Sequence, residues 1–203
     1  MNKLTGIVSS SAVTAATALF ALGILLSDQN LSYFVCILLS WGFILLVCSF
    51  ASEVCFENKA LAYGGIAFSC IYGVFVTLVY FIQLTTVANG TASPEILKFL
   101  SYTTLGSPMF NLDLLGYGMM AVSTFLIAFS LHIKCAADQW LKALLMIHGI
   151  FVFPCVLSPM LNIFSMNMKN GDRIGRIALL LWCLYFIPIG ILSTFHFVRK
   201  QHN

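Results

Sequence analysis

The chain has 203 residues, of which 60% are hydrophobic and only 8% charged, with a formal net charge of +3 at pH 7. Soluble domains carry roughly 25% charged residues, so an ordinary water-soluble fold is excluded. Without a run of basic residues the chain offers nothing to nucleic acid, and its 7 acidic residues make no acidic surface.

Six apolar stretches follow one another: Gly6–Leu26, Leu31–Ala51, Ala60–Leu84, Leu112–His132, Trp140–Asn162 and Ile174–Phe197. A membrane-spanning helix needs roughly 20 mostly apolar residues at about 1.5 Å rise each, and each stretch meets that length. The prediction is an all-α, polytopic membrane protein: a bundle of six transmembrane helices forming a single domain over 1–203. The longest break, Thr85–Asn111, is too short for an independent folded unit.

The first stretch begins like a signal peptide, with Lys3 ahead of it and Ala16-Thr17-Ala18 as a small-residue cleavage pattern. The apolar run continues through Leu19–Leu26, where a mature chain turns polar, so it reads as a retained helix. The 7 cysteines, Cys36, Cys48, Cys55, Cys70, Cys135, Cys155 and Cys183, show no C-x-x-C spacing and mostly fall inside apolar runs. They read as small buried hydrophobes rather than a disulfide framework.

Orientation follows from Lys and Arg near the span ends. With the N-terminus inside, Lys3, Lys59, Lys134, Lys142, Arg199 and Lys200 are cytoplasmic, against Lys98, Lys169, Arg173 and Arg176 outside. This bias, with the basic tail Arg199-Lys200, favours both termini in the cytoplasm of a cell-membrane protein.

Along the third span, Gly65, Ser69, Tyr72, Val76, Tyr80 and Gln83 recur at close to 3.6-residue spacing. In lipid such a polar and aromatic stripe is expected to face the bundle. The outer loop then carries Asn89-Gly90-Thr91, read as a turn, and Ser93-Pro94-Glu95, an N-cap with proline at the first helical position. A short interfacial helix near 94–101 follows, suited to a lid, and Ser107-Pro108 repeats the start signal before span four.

Ionisable groups inside a span cost several kcal/mol unless paired or hydrated, so each is a functional candidate. Asp113 lies in the phrase Asn111-Leu112-Asp113-Leu114-Leu115-Gly116-Tyr117-Gly118, sharing a helix face with Tyr117 and Met120. Gly116 and Gly118 invite close approach of a neighbouring helix. His148 lies near the middle of span five, aligned with Cys155, Ser158 and Asn162, and followed by Pro154 and Pro159, which invite kinks. Span six carries Trp182, Tyr185, Ser193 and His196, with Pro188 near its middle.

On the N-inside topology Gln83, Asp113, Ser158 and Asn162 all fall in the outer third. They define an outward-facing pocket, lined below by Tyr80, Tyr117 and His148. No HExxH, GxSxG, GxGxxG or P-loop is present, no second acid completes a dyad with Asp113, and the histidines and cysteines lack metal-ligand spacing. His132 and His196 form a lone candidate pair for haem axial ligation, too weak a signal to imply one. The sequence thus implies neither a catalytic residue, a cofactor nor a metal.

Two readings stand ahead of a third, a membrane-embedded enzyme. In the first, the chain binds or transports a small neutral or weakly cationic solute at the outer pocket. In the second it is a non-catalytic subunit or scaffold for a partner membrane protein. The second would leave small-residue stripes such as Ala12/Ala16 and Gly65/Ser69 facing lipid for the partner; the first would bury them. The lipid bilayer is the partner common to both.

Overall fold

The computed structural model describes residues 2–54, 58–164 and 171–199; Cys55, Lys169 and Lys200 lie outside the described residues. The described residues are built from helices, and six helical stretches are long and apolar enough to cross a membrane. The chain is a multi-pass membrane protein. Its spans are α1 (Asn2–Leu26), α2 (Gln29–Ala51), α3 (Lys59–Ile82) extended by a π-turn (Gln83–Val87), and α5 (Pro108–Ile127) closed by a 3₁₀ turn (Ala128–Ser130). The fifth span joins α6 (Ala136–His148) through a 3₁₀ turn (Gly149–Phe151) to α7 (Val152–Met160), and α8 (Gly171–Arg199) is the sixth. Between spans three and four lies the short α4 (Pro94–Leu100).

Local chemistry explains where these helices start and stop. After α1, Ser27 turns into the left-handed region at φ 57°. Asp28 then caps α2 by accepting the Leu31 N–H at 3.0 Å, so α1 and α2 reverse direction across a two-residue turn. Ser107 caps α5 by accepting the Phe110 N–H at 3.1 Å, with Pro108 at the first helical position, where its missing N–H costs nothing. This places the start of α5 four residues earlier than the apolar run alone suggests, so Asp113 sits more than a turn inside the helix. At the other end the helical residues stop at Ser130, and His132 follows the helix instead of ending it.

The fifth span departs most from a regular helix. Pro154 cannot donate to the carbonyl of Ile150, and the backbone tightens to a 3₁₀ turn just before it, at Gly149–Phe151. α7 ends at Met160, and Asn162 adopts φ 52°, a conformation asparagine tolerates. Its N–H closes on the Pro159 carbonyl at 3.1 Å. Asn162 therefore stands exposed beyond the helix, off the stripe expected to align it with His148.

The spans form a closed ring in chain order. α1 packs on α2 and α8, α2 on α3, α3 on α5, α5 on α6 and α7, and α6 on α8. Aromatic pairs bridge its middle: Phe43 with Phe186 at 6.2 Å and Tyr117 with Trp182 at 5.3 Å. Outward faces carry large apolar side chains such as Leu45, Val74, Phe81, Phe153 and Leu184. The polar stripe of α3, Gly65, Ser69, Tyr72, Val76, Tyr80 and Gln83, is buried along its whole length. α4 buries no residue and exposes Ile96 and Phe99 beside the bundle end, as an amphipathic interfacial segment does.

Close backbone approach is needed where α1 crosses α8. A Cβ on Gly190 would overlap the Thr14 hydroxyl and come within 3.3 Å of the Thr14 Cα, backbone that cannot yield cheaply. Gly190→Leu is therefore expected to destabilise the protein by about 1–3 kcal/mol, read as a lower melting temperature in detergent. Gly175→Ala, where no atom lies within 4 Å of the added Cβ, is expected to leave it unchanged or slightly raised.

Candidate functional site

The loop-bearing end of the bundle holds a cavity of about 320 Å³. Its wall includes Phe20, Ser32, Tyr33, Tyr80, Tyr102 and Arg176. Three tyrosines meet there edge and face: Tyr33 stacks on Tyr80 at 5.3 Å, Tyr102 stands edge-on to Tyr33 at 5.9 Å, and Tyr80 to Tyr102 is 5.6 Å. They come from three elements (α2, α3 and the segment after α4), so the cluster exists only once the bundle closes. Tyr102 lies outside the spans; burial, reinforced by the Asp113 carboxylate, pushes its phenol well above the ordinary tyrosine range, so it stays a neutral hydrogen-bond donor.

Asp113 lies against these tyrosines with 2% of its surface exposed. The hydroxyls of Tyr80 and Tyr102 are its hydrogen-bonding neighbours. Among the described residues its second oxygen, Oδ1, is buried without a partner. Glu53, Asp138, His196 and Arg199 form ion pairs at the opposite end of the bundle, and Asp113 takes part in none of these. A carboxyl group withdrawn from water without a cation is costly, by several kcal/mol if ionised, so its retention on an inward face calls for a chemical reason.

Gln83 sits in the π-turn and works as a clasp. Its amide N–H donates to the Leu100 carbonyl at 2.9 Å, and its oxygen accepts the Tyr102 N–H at 2.9 Å. The side chain thereby satisfies backbone on both sides of Ser101 and fixes where Tyr102 enters the bundle. The π-turn begins at Gln83: Ala88 donates back to the Gln83 carbonyl at 3.0 Å. The cover of the cavity is the segment carrying Tyr102, Thr103 and Leu105 rather than α4, none of whose residues lines it.

His148 occupies the bundle centre, apart from this cavity. Its Nε2 accepts the Trp182 indole N–H at 3.1 Å. That nitrogen is therefore bare, and Nδ1 carries the ring proton, donating to Thr124 Oγ1 at 2.8 Å. The Thr124 hydroxyl passes its own hydrogen to the Ala121 carbonyl at 2.8 Å. The ring also stacks on Phe151 at 5.3 Å and Tyr185 at 6.0 Å. Every polar atom of this neutral ring is used, and the chain of bonds joins α5, α6 and α8.

The structure thus brings Tyr80, Gln83 and Asp113 together around the tyrosine cluster. Tyr117, one turn below Asp113, contacts Tyr72 at 5.6 Å and lies 3.7 Å from the Cys36 sulfur. Ser158 is buried but bonded to the Pro154 carbonyl of its own helix, and Asn162 is exposed. Tyr33 and Tyr102 were not singled out from the sequence. Tyr102 is the only aromatic residue between Phe99 and Phe110, but no spacing rule links it to Asp113.

A second polar group lies at the end that carries the chain termini, where Gly6 rests against Phe197. Here His196 contacts Glu53 and Asp138, and Arg199 reaches Asp138, beside a cavity of about 520 Å³. Sequence reading placed His196 on a bundle-facing stripe but could not supply its partners, which lie 143 and 58 residues away. Among the described residues no cluster of His, Cys, Asp and Glu is arranged to hold a metal ion.

Comparison with known proteins adds no family: no protein-family model, no curated protein and no solved structure matches the chain.

Trp182→Phe removes the indole N–H donor to His148 Nε2 while keeping an aromatic ring. It is expected to cost about 1–2 kcal/mol, measured as a lower melting temperature with unchanged helical circular dichroism.

Proposed function

We propose that the protein binds a small, weakly cationic solute at its loop-bearing end and carries it across the membrane, with Asp113 as the counter-charge. The observation that supports this most is the unpartnered Oδ1 of a buried carboxylate behind a cluster of tyrosines. A solute carrying an N–H donor or an alkylammonium group would satisfy that oxygen. The tyrosine faces would add cation–π attraction, worth roughly 0.5–2 kcal/mol per well-placed ring. The same rings tolerate a neutral solute with a single donor less well, because nothing then offsets an ionised Asp113.

Asp113 does not itself line the cavity, so the solute reaches it by displacing Tyr102. The segment that carries Tyr102 is suited to that movement. It is short and contains Gly106 at φ +75°, a conformation that costs glycine little; besides Gln83, the Ser107 hydroxyl holds it by donating to the Ser101 carbonyl at 2.8 Å. The expected small-residue stripes also favour a self-contained bundle over a subunit. Ala16, Gly65 and Ser69 are buried, leaving Ala12 exposed. Ser123 also donates to the Gly65 carbonyl at 2.7 Å, spending that stripe on α5. The loop end faces outward on the positive-inside rule, which puts the solute site on the extracytoplasmic side.

The test is thermal stabilisation of the purified protein in detergent by tetramethylammonium and by small primary and tertiary amines. A ligand at about 100 times its dissociation constant stabilises by about 2.7 kcal/mol. The expected result is a dose-dependent rise in melting temperature that Asp113→Asn abolishes while remaining folded. A flat response across the series sinks the reading.

The orientation has its own check. A cysteine introduced at Thr91 is expected to react with a membrane-impermeant thiol reagent on intact cells, and one at Lys3 only after permeabilisation. The reverse pattern overturns the N-inside topology.

A further inference from the structure

We propose that His196 is a proton-binding site whose protonated ring ties three spans together at the end of the bundle carrying the chain termini. Glu53 follows α2, Asp138 lies in the first turn of α6, and His196 lies in the last turn of α8. The ring stands between the two acids, with Nε2 2.9 Å from Glu53 Oε2 and Nδ1 2.9 Å from Asp138 Oδ1. A carboxylate accepts but does not donate, and a neutral imidazole has a single N–H. Only the imidazolium therefore completes both bonds with ionised carboxylates.

Burial raises the stakes of that proton. The side chains of His196, Glu53 and Asp138 are 6%, 9% and 4% exposed, and the rings of Phe50 and Phe197 flank the imidazole at 5.7 and 5.3 Å. Arg199 adds a second cation, 3.3 Å from Asp138 Oδ1. Among these four side chains, a protonated His196 sets two cations against two carboxylates. Without that proton one of the cations is lost, and a nitrogen lone pair faces a carboxylate oxygen. Attraction across the α2–α8 or α6–α8 junction then becomes repulsion.

Other charged and titratable groups stand at the same end. The other Asp138 oxygen is occupied by the Lys134 N–H at 3.0 Å and the Cys135 thiol at 3.4 Å. His132, Lys134 and Cys135 line the adjoining cavity, while Lys3 of α1 and Lys59 of α3 belong to the same end of the bundle. The cavity of about 520 Å³ supplies a route for protons from the aqueous phase. His148 contrasts sharply: its Nε2 accepts from a group that only donates, so a second ring proton would break the Trp182 bond.

The clamp lies at the opposite end of the bundle from the tyrosine cavity. If solute moves through the bundle, the two ends must open in turn, and a proton on His196 holds the termini end shut. This coupling rests on the proposed transport function; the proton site does not, and both measurements below are made without solute.

The protein labelled with ¹⁵N-histidine in detergent is followed by NMR between about pH 5.5 and pH 9, spanning the histidine range, with Glu53→Gln used to assign His196. The expected spectrum shows both ring nitrogens of His196 protonated at the acidic end and a neutral ring at the basic end. His148 keeps one neutral tautomer throughout. In parallel, the wild-type melting temperature is expected to fall as pH rises through the His196 transition, and His196→Gln to flatten that dependence. A stabilising interaction that needs the bound proton is present at low pH and lost on deprotonation, which sets this sign. A His196 that stays a single neutral tautomer across the range overturns the proposal, as does an identical pH profile in wild type and His196→Gln. If His196→Gln does not fold, Glu53→Gln takes its place. The proposal then requires its His196 to lose the proton at lower pH than in wild type, and an unmoved transition overturns it.

Discussion

Every polar group in this protein is governed by one constraint: the hydrocarbon core of a bilayer offers no hydrogen bonds. Helices satisfy their own backbone, so the six spans can stand in lipid, but polar side chains must find partners inside the bundle or on their own helix. Large apolar side chains fill the interior, as Leu39, Phe43 and Phe186 do, and also cover the lipid-facing surface, while polar side chains such as Ser40, Thr124, Asp113 and His148 turn inward. Some serines and threonines spend their hydroxyls on the preceding turn, as Thr17 does on the Val13 carbonyl at 2.8 Å. Others join helices, as Ser123 does to the Gly65 carbonyl and Thr194 to Ser10 at 2.9 Å.

Three polar groups stand out along the bundle, and they differ in how fully that constraint is met. At the centre, His148 has every donor and acceptor matched, which makes it a rivet between α5, α6 and α8. At the termini end, His196 is matched only when it carries a second proton. At the loop end, Asp113 has one oxygen matched and one open. A structural rivet, a proton-dependent tie and an unfilled acceptor are three different physical states of a buried polar group. The functional reading follows from that difference more than from residue type.

The irregular backbone serves these groups. The π-turn at Gln83–Val87 carries the clasp that seats Tyr102, and the 3₁₀ turn ahead of Pro154 interrupts the α-helix of span five immediately after His148. Such distortions free backbone groups that a regular helix would consume, and in membrane proteins they persist where the bundle interior can meet the cost. Both fall beside buried polar side chains, one next to the tyrosine cluster and one at His148.

Composition and periodicity by themselves determined the class, the six spans, the buried face of α3 and the inward face of Asp113, Tyr117 and Met120. These follow from the lipid constraint acting on each helix separately, with a period of 3.6 residues and a length of about 20. Proline and serine also placed the starts of α4 and α5, because capping is local. Only the tertiary structure decided which faces meet. Tyr33, Tyr80 and Tyr102 converge, His148 is paired away by Trp182 and Thr124, Asn162 is turned outward by its left-handed cap, and His196 lies between acids from two other spans. Apart from the local cap at Asn162, those outcomes depend on pairings between residues 22 to 143 positions apart, which a single chain's local pattern does not encode, because a helix face records that it is buried and not against what.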